Sequence, residues 1–263
     1  MIRPTIALPT GPFDLHPEET PAHTFDARLA ALRLLMRGEN LSHAVIHGSV
    51  FDHEALSHYT YFTPKLGPAY ALVPADGPPR LLFSGGPGMK PSAARLTWIT
   101  DVVALRGIEA DVKQWLQPTA EGRPAKVGLV EGSAMSRHDW RSVLRAAGGS
   151  VVELDGHLPS PTTDPTTKEQ TAKTREICDR LVSTFTNACN LGDDIRSACL
   201  DIERMAYREG AEDIRVLAAR RPDGPPTRLP DEPLPMTGRT PIEMSLRHKG
   251  AWHTIAFALT PKA

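Results

Sequence analysis

Residues 240–259 read TPIEMSLRHKGAWHTIAFAL, two apolar-rich runs interrupted once, at Lys249-Gly250. That dipeptide supplies a tight turn, and the runs on either side, 242–248 and 251–259, have the length of strands. The spacing predicts a hairpin. Side chains alternate between faces along a strand, so Glu243 and Ser245 share one face, with Arg247 further along it. On the returning strand His253 shares a face with Ala251 and Ile255, and Trp252 and Thr254 take the other.

Working back from the hairpin, a proline-rich loop covers 222–241 and EDIRVLAAR (212–220) reads as a strand. DDIRSACLDIERMAYRE (193–209) predicts a helix opened by Asp193 or Asp194 and ended by Gly210. Helical periodicity also runs through 167–190. Helix, helix, strand, strand, strand is the order of an α+β domain. HLPSPTTDPTTKEQT (157–171), rich in proline and threonine, marks a domain boundary. Upstream, a helix over 26–37 with Asp26 as its N-cap precedes a strand at 43–48 and a hairpin from 69–74 and 80–83. A helix at 109–116, a strand at 126–131, a helix at 137–147 stopped by Gly148-Gly149 and a strand at 151–154 complete this half. Strands alternating with helices imply an α/β layer domain. The expected organisation is an extended arm at 1–24, an α/β domain at 25–156 and an α+β domain at 157–263.

Bulk properties exclude several classes. Thirty basic residues against 31 acidic ones, a net charge of −1, give no electrostatic reason to expect nucleic acid or a membrane surface as partner. No apolar run approaches the roughly 18 residues of a membrane span, and the first 25 residues lack the apolar stretch of a secretory signal. The three cysteines, Cys178, Cys189 and Cys199, fit a reduced, cytoplasmic protein better than a disulfide framework. The LFSGGPG loop (82–88) matches neither a dinucleotide nor a P-loop fingerprint, and there is no nucleophile elbow or H-E-x-x-H helix.

Three segments in order carry a resemblance. FDARLAALRLLMRGENLSHAVIHGS, HYTYFT and YALVPADGPPRLLFSGG are similar to the N-terminal domain of the creatinase/prolidase/methionine-aminopeptidase superfamily. TDPTTKEQTAKTREICDRLVSTF resembles the helix that opens its "pita-bread" catalytic domain. AYREGAEDIRVLAARRP with LPMTGRTPIEMSLRHKGAWHTIAFAL resembles its first catalytic hairpin. The fold implied is a creatinase-like α/β domain followed by an α+β half of a pita-bread domain. In the family's metallopeptidases that hairpin supplies two Asp ligands eleven residues apart to a pair of divalent ions. At those positions this chain has Glu243 and Thr254. The other ligands, a His and two Glu, are expected in a second half that the chain lacks, so no metal and no cofactor is expected. The family's metal-free branch uses a histidine general base in the loop before the hairpin, and the loop here holds Arg220, Arg221, Arg228 and Arg239 but no histidine.

The residues therefore offer a short list. His253 is either a general base, since imidazole titrates near neutrality, or a satisfied sheet histidine. Glu243 joins it as the second candidate for catalysis. Arg221, Arg228, Arg247 and Trp252 are candidates for binding substrate, arginine forks suiting carboxylate or phosphate, with a solvated surface as the plain alternative. The resulting expectation is a metal-independent enzyme acting on a small polar or anionic molecule by C–N hydrolysis or related acid–base chemistry. A catalytically inactive binding or scaffold protein and one half of a heteromeric metallopeptidase are the rivals. A homodimer is expected, the second copy standing where the missing half would be.

Overall fold

A computed structural model of the chain describes residues 20–50, 52–116, 125–158, 165–190, 194–228, 232–234 and 238–260. Most of the expected arm, and residues 159–164 of the proline-threonine stretch, lie outside the described residues. The described residues form two compact units, 20–158 and 165–260.

The N-terminal unit is an α/β layer structure. Its strands are β1 (His43–Gly48), β2 (Ala69–Pro74), β3 (Arg80–Phe83), β4 (Asp101–Ala104), β5 (Val127–Val130) and β6 (Val151–Glu153), in the order β4-β3-β2-β1-β5-β6. β1 runs parallel to β5, and β2 is antiparallel to both β1 and β3. Alternation sends Ala44 and Ile46 to one face, where α1 (Ala22–Gly38) and α2 (Glu54–Thr60) cover them with Leu29, Leu32, Met36 and Leu56. Val45, Tyr70 and Leu129 go to the other, under α4 (Ile108–Trp115) and α5 (Arg137–Ala146); a short α3 (Lys90–Ala94) precedes β4. α1 begins at Ala22 behind Pro21, so Asp26 lies in its second turn and is not the cap. Proline is suited to a helix start because its φ is already helical and no N–H is left unbonded. α2 and β4 were not expected. Seven residues closed by Tyr61 at φ 65 carry no glycine or proline stop to announce them.

The start of α4 is held by one carboxylate. Asp111, almost fully buried, accepts from the backbone N–H of Arg106 at 2.8 Å and of Gly107 at 3.1 Å, and from the Arg106 guanidinium at 3.0 Å. Burial opposes its ionisation, but these donors outweigh burial and hold the carboxyl below its ordinary value.

The C-terminal unit packs two helices on one face of an antiparallel sheet. α6 (Pro165–Asn190) and α7 (Ile195–Arg208) are followed by β7 (Asp213–Ala219), β8 (Pro226–Arg228), β9 (Thr240–His248) and β10 (Ala251–Leu259), ordered β10-β9-β7-β8. Asp194 caps α7, accepting from the N–H of Arg196 and Ser197, and Gly210 at φ +88 ends it. Lys249 (φ 48) and Gly250 (φ 79) are both left-handed, as a type I′ hairpin turn requires. The proline-rich loop contributes a fourth strand, β8, which pairs Leu217–Ala219 with Arg228–Pro226. Pro226 is tolerated there as the first residue of an edge strand.

A buried ion pair fixes the open end of this sheet. Arg247 and Glu212 have side chains only 2% and 3% exposed, with Nε and Oε2 3.1 Å apart. The same carboxylate oxygen accepts from Gly250 N–H at the hairpin turn, and Glu212 N–H donates to the Arg247 carbonyl at 2.8 Å.

Two measurements check these assignments. Glu212→Gln should cost about 3–5 kcal/mol in urea denaturation because it strands a buried guanidinium, whereas Glu212→Met with Arg247→Met should cost clearly less. Equal loss in single and double variants would contradict that. The depressed Asp111 carboxyl contributes stability at pH values above the ordinary carboxylate value, lost as pH falls through its lowered folded value. Asp111→Asn should therefore be about 1–2 kcal/mol less stable at pH 7, and the two stability curves should converge as pH falls below the ordinary carboxylate range.

Candidate functional site

Strand register decides which side chains of the C-terminal unit meet. β7 pairs with β9 so that Asp213 faces Arg247, Arg215 faces Ser245 and Leu217 faces Glu243. β9 pairs with β10 so that Arg247 faces Trp252, Ser245 faces Thr254 and Glu243 faces Ala256. Residues paired across a ladder point to the same side. Three rows therefore lie side by side on one face: Asp213–Arg247–Trp252, Arg215–Ser245–Thr254, and Arg228–Leu217–Glu243–Ala256, with Arg228 supplied by β8.

The other face is apolar and covered. Ile242, Met244 and Leu246 of β9 pack with Ile177, Leu181 and Phe185 of α6, and Phe185 meets Phe257 of β10 edge to face, ring centroids 6.0 Å apart. His253 pairs with Leu246 and belongs to this helix-covered side. It cannot work together with Glu243, because the sheet stands between them. The expectation that the two share one catalytic site is corrected by the register: 243 pairs with 256, so an odd-numbered partner on β10 falls on the opposite face.

Arg247 is corrected as a substrate contact as well. It points to the polar side, but its guanidinium is buried against Glu212 and committed to that pair. Arg221 lies beyond the end of β7, exposed, in a turn where its carbonyl accepts from Gly224 N–H at 3.1 Å. Ion pairing between Arg239 and Asp223 at 2.7 Å closes the base of that loop. Arg228 is exposed on β8 and shares a row with Glu243.

One residue of this face was missed by sequence reading. The Arg215 guanidinium carbon lies 4.9 Å from the centroid of the Trp252 ring, a cation–π contact across β9, and its Nη2 is 3.6 Å from Asp213 Oδ2. The i, i+2 spacing of Asp213 and Arg215 within EDIRVLAAR was the signal available. Ser245 Oγ and Thr254 Oγ1 are 2.9 Å apart, two hydroxyls bonded across the ladder beside Glu243.

The two positions that the family resemblance assigns to metal ligands, Glu243 and Thr254, are thus diagonal neighbours on one face. Their juxtaposition is of the right kind; their donors are not. A divalent pair needs several hard anionic oxygens, and beside Glu243 this face offers two hydroxyls engaged with each other, its other carboxylate, Asp213, lying two rows away beside Arg215. Among the described residues no three His, Cys, Asp or Glu gather as a metal site. The cysteines contribute no chemistry here either. All three are buried and unbridged, and burial, with Asp179 adding to it, pushes the Cys178 thiol up to about 11, leaving no thiolate at neutral pH.

No protein-family model matches the chain, and no curated protein sequence does. Solved structures do. The prolidase from Pyrococcus horikoshii OT3 superposes with a TM-score of 0.65 at 13% identity, over 90% of this chain and 65% of that one. The prolidase from Pyrococcus furiosus gives 0.63 at 15% identity over 88% and 70%, and the X-Pro aminopeptidase from Thermotoga maritima gives 0.55 at 18% identity over 86% and 66%. The chain spans about two thirds of the length of these proteins. Likeness of this order, covering both units in sequence, identifies the architecture: the chain carries the fold of the creatinase/prolidase superfamily, a creatinase-type N-terminal domain followed by part of a pita-bread domain.

Proposed function

We propose that the chain acts on a small polar or anionic molecule held against the polar face of the C-terminal sheet, without a dinuclear metal centre. Glu243 is the proton carrier of this reading, Arg228 and Arg215 attract the anionic group, and Trp252 gives an apolar wall. The reaction class is C–N hydrolysis or related acid–base chemistry. The observation that carries it is the register, which gathers Glu243, the Ser245 and Thr254 hydroxyls, Arg215, Arg228 and the Trp252 indole on a single face. A positioned carboxylate contributes roughly 10²–10⁴-fold through proton transfer. Hydrolysis requires water to add to the C–N carbon while Glu243 takes its proton and returns one to the departing nitrogen.

A second reading has its own support. With His253 on the helix-covered side and Asp213 beside Arg215, the catalytic reading rests on Glu243 alone, which suits a binding protein that keeps the fold and has lost the reaction. One experiment separates the two. The purified chain, its metal content measured, is assayed for binding and turnover on a panel of small anionic amides and guanidino acids. The catalytic reading expects chelator-resistant turnover that Glu243→Gln lowers by about 10²–10⁴-fold with binding retained. Binding without turnover in the unaltered chain selects the second reading. Turnover that requires added divalent metal overturns both.

The partner of this reading is a second copy. Among the described residues β10 pairs only with β9, leaving nine residues of edge with no charge and no proline, a surface that edge-to-edge pairing would cover. Sedimentation at micromolar concentration should give twice the chain mass of 28.7 kDa; a monomer would sink the dimer. No helix of the described residues is long and apolar enough to cross a membrane, and three unbridged cysteines support a reducing, cytoplasmic setting.

A further inference from the structure

The N-terminal unit gathers a polar cluster of its own, on evidence independent of the reading above. At the C-terminal ends of the parallel neighbours β1 and β5 the chain departs in opposite directions, from β1 to α2 on one face and from β5 to α5 on the other. In open α/β sheets such a divergence leaves a crevice in which ligands bind.

Its floor is His47 of β1, 2% exposed, beside Tyr70 of β2, fully buried. They are cross-strand partners with ring centroids 5.4 Å apart. His47 Nδ1 has no hydrogen-bond partner, and the Tyr70 hydroxyl faces the Asp139 carboxylate without closing a bond to it. A buried polar atom without a partner is costly, and His47 Nδ1 is such an atom. The His47 ring reaches the Glu131 backbone, which leaves Nδ1 as the acceptor of a neutral imidazole; burial keeps it neutral by holding its pKa below the ordinary value.

The walls are acidic. Glu131 follows β5 in the left-handed conformation (φ 58) with its N–H on Asp155 Oδ1 at 2.5 Å. Besides burial, the groups that raise its carboxyl are all carboxylates, Asp155, Asp52 and Glu54, and the charges acting on His47 are Asp139 and Asp52. A helix start usually draws an anion, but α5 answers its own. Ser136 accepts from Asp139 N–H at 3.1 Å, and Asp139 accepts from the Ser136 hydroxyl at 2.8 Å.

We propose that this crevice binds a small organic diamine, its two ammonium groups shared among the separate Glu131, Asp52 and Asp139 carboxylates, with His47 Nδ1 as the buried acceptor. An ammonium supplies the three donors and the charge that such a site lacks. A bare metal ion needs three ligating groups converging on one point, which the described residues do not offer; the two ammonium groups of a diamine can reach carboxylates that stand apart.

The test is titration of the full chain with 1,4-diaminobutane, following the His47 ring by heteronuclear NMR, against tetramethylammonium at equal ionic strength. A saturable His47 shift with the diamine alone is expected, half-complete at about millimolar concentration, the affinity of a few charge-assisted hydrogen bonds. Asp52→Asn and Glu131→Gln should each weaken it about tenfold, a change of about 1.4 kcal/mol. His47→Phe, read by titration calorimetry because the reporter ring is gone, should lose diamine binding, and if that variant does not fold the two carboxylate variants decide. No saturable shift, the same shift with tetramethylammonium, or unchanged affinity in both carboxylate variants overturns the proposal.

Discussion

The two-residue period of the β-strand, locked by the β7–β9–β10 register, is the constraint on which the C-terminal unit depends. Slipping one strand by a single residue would send Glu243, Ser245 and Arg247 onto the helices and bring Ile242, Met244 and Leu246 out to water. Burying Ile242, Met244 and Leu246 under α6 and α7 is worth roughly 1.5–3 kcal/mol for each side chain, so the apolar face chooses the register and the polar face inherits it. The site is in this sense a by-product of the core. Which polar residues meet is set by which apolar residues must be covered.

The Glu212–Arg247 pair works at the place where that logic is weakest. Near the hairpin turn the sheet runs out of apolar cover, and the turn needs acceptors for its exposed N–H groups. One carboxylate serves Arg247 and the Gly250 N–H together. Desolvating two charges costs several kcal/mol per ion before their attraction is counted, so the pair adds little net stability. Its contribution is specificity: a β7–β9 register shifted by two residues, which the face pattern alone would allow, would leave a buried guanidinium without its carboxylate.

Much of this was legible in the sequence, and the failures have physical causes. The hairpin at 242–259, its turn at Lys249-Gly250, the alternation of Glu243 with Ser245, and the change of grammar after the proline-threonine stretch all follow from local pattern. β8 did not, because PTR is a strand only by virtue of the Leu217–Ala219 edge it finds in space. Asp26 looked like a cap because it precedes an apolar periodic run, while Pro21 could start the helix four residues earlier. Arg247 and His253 show a deeper limit. Periodicity assigns a residue to a face within its own strand, but which face of one strand matches which face of the next is a property of pairing. Burial of a long cation depends on a partner 35 residues away (Glu212 to Arg247), which no local pattern announces. The crevice at His47 was invisible for the same reason, since β1, β5 and α5 meet only after the sheet has formed.

The Ser245–Thr254 hydroxyl pair explains how this sheet persists with the donors it has. Two carboxylates placed diagonally on adjacent strands, at about 7–8 Å, repel, and each raises the cost of ionising the other. Such a face needs cations to be stable as well as to be active. With a threonine in one position, its hydroxyl bonds to Ser245 across the ladder, and the remaining carboxylate of Glu243 shares its row with Arg228. Hydrogen bonds between neutral hydroxyls need no counter-ion and little desolvation at an exposed position. At these two positions the repulsion of a carboxylate pair is therefore absent, and the Glu243 carboxylate stands on the row of Arg228 and one row from Arg215, the charge pattern on which the proposed anion site rests.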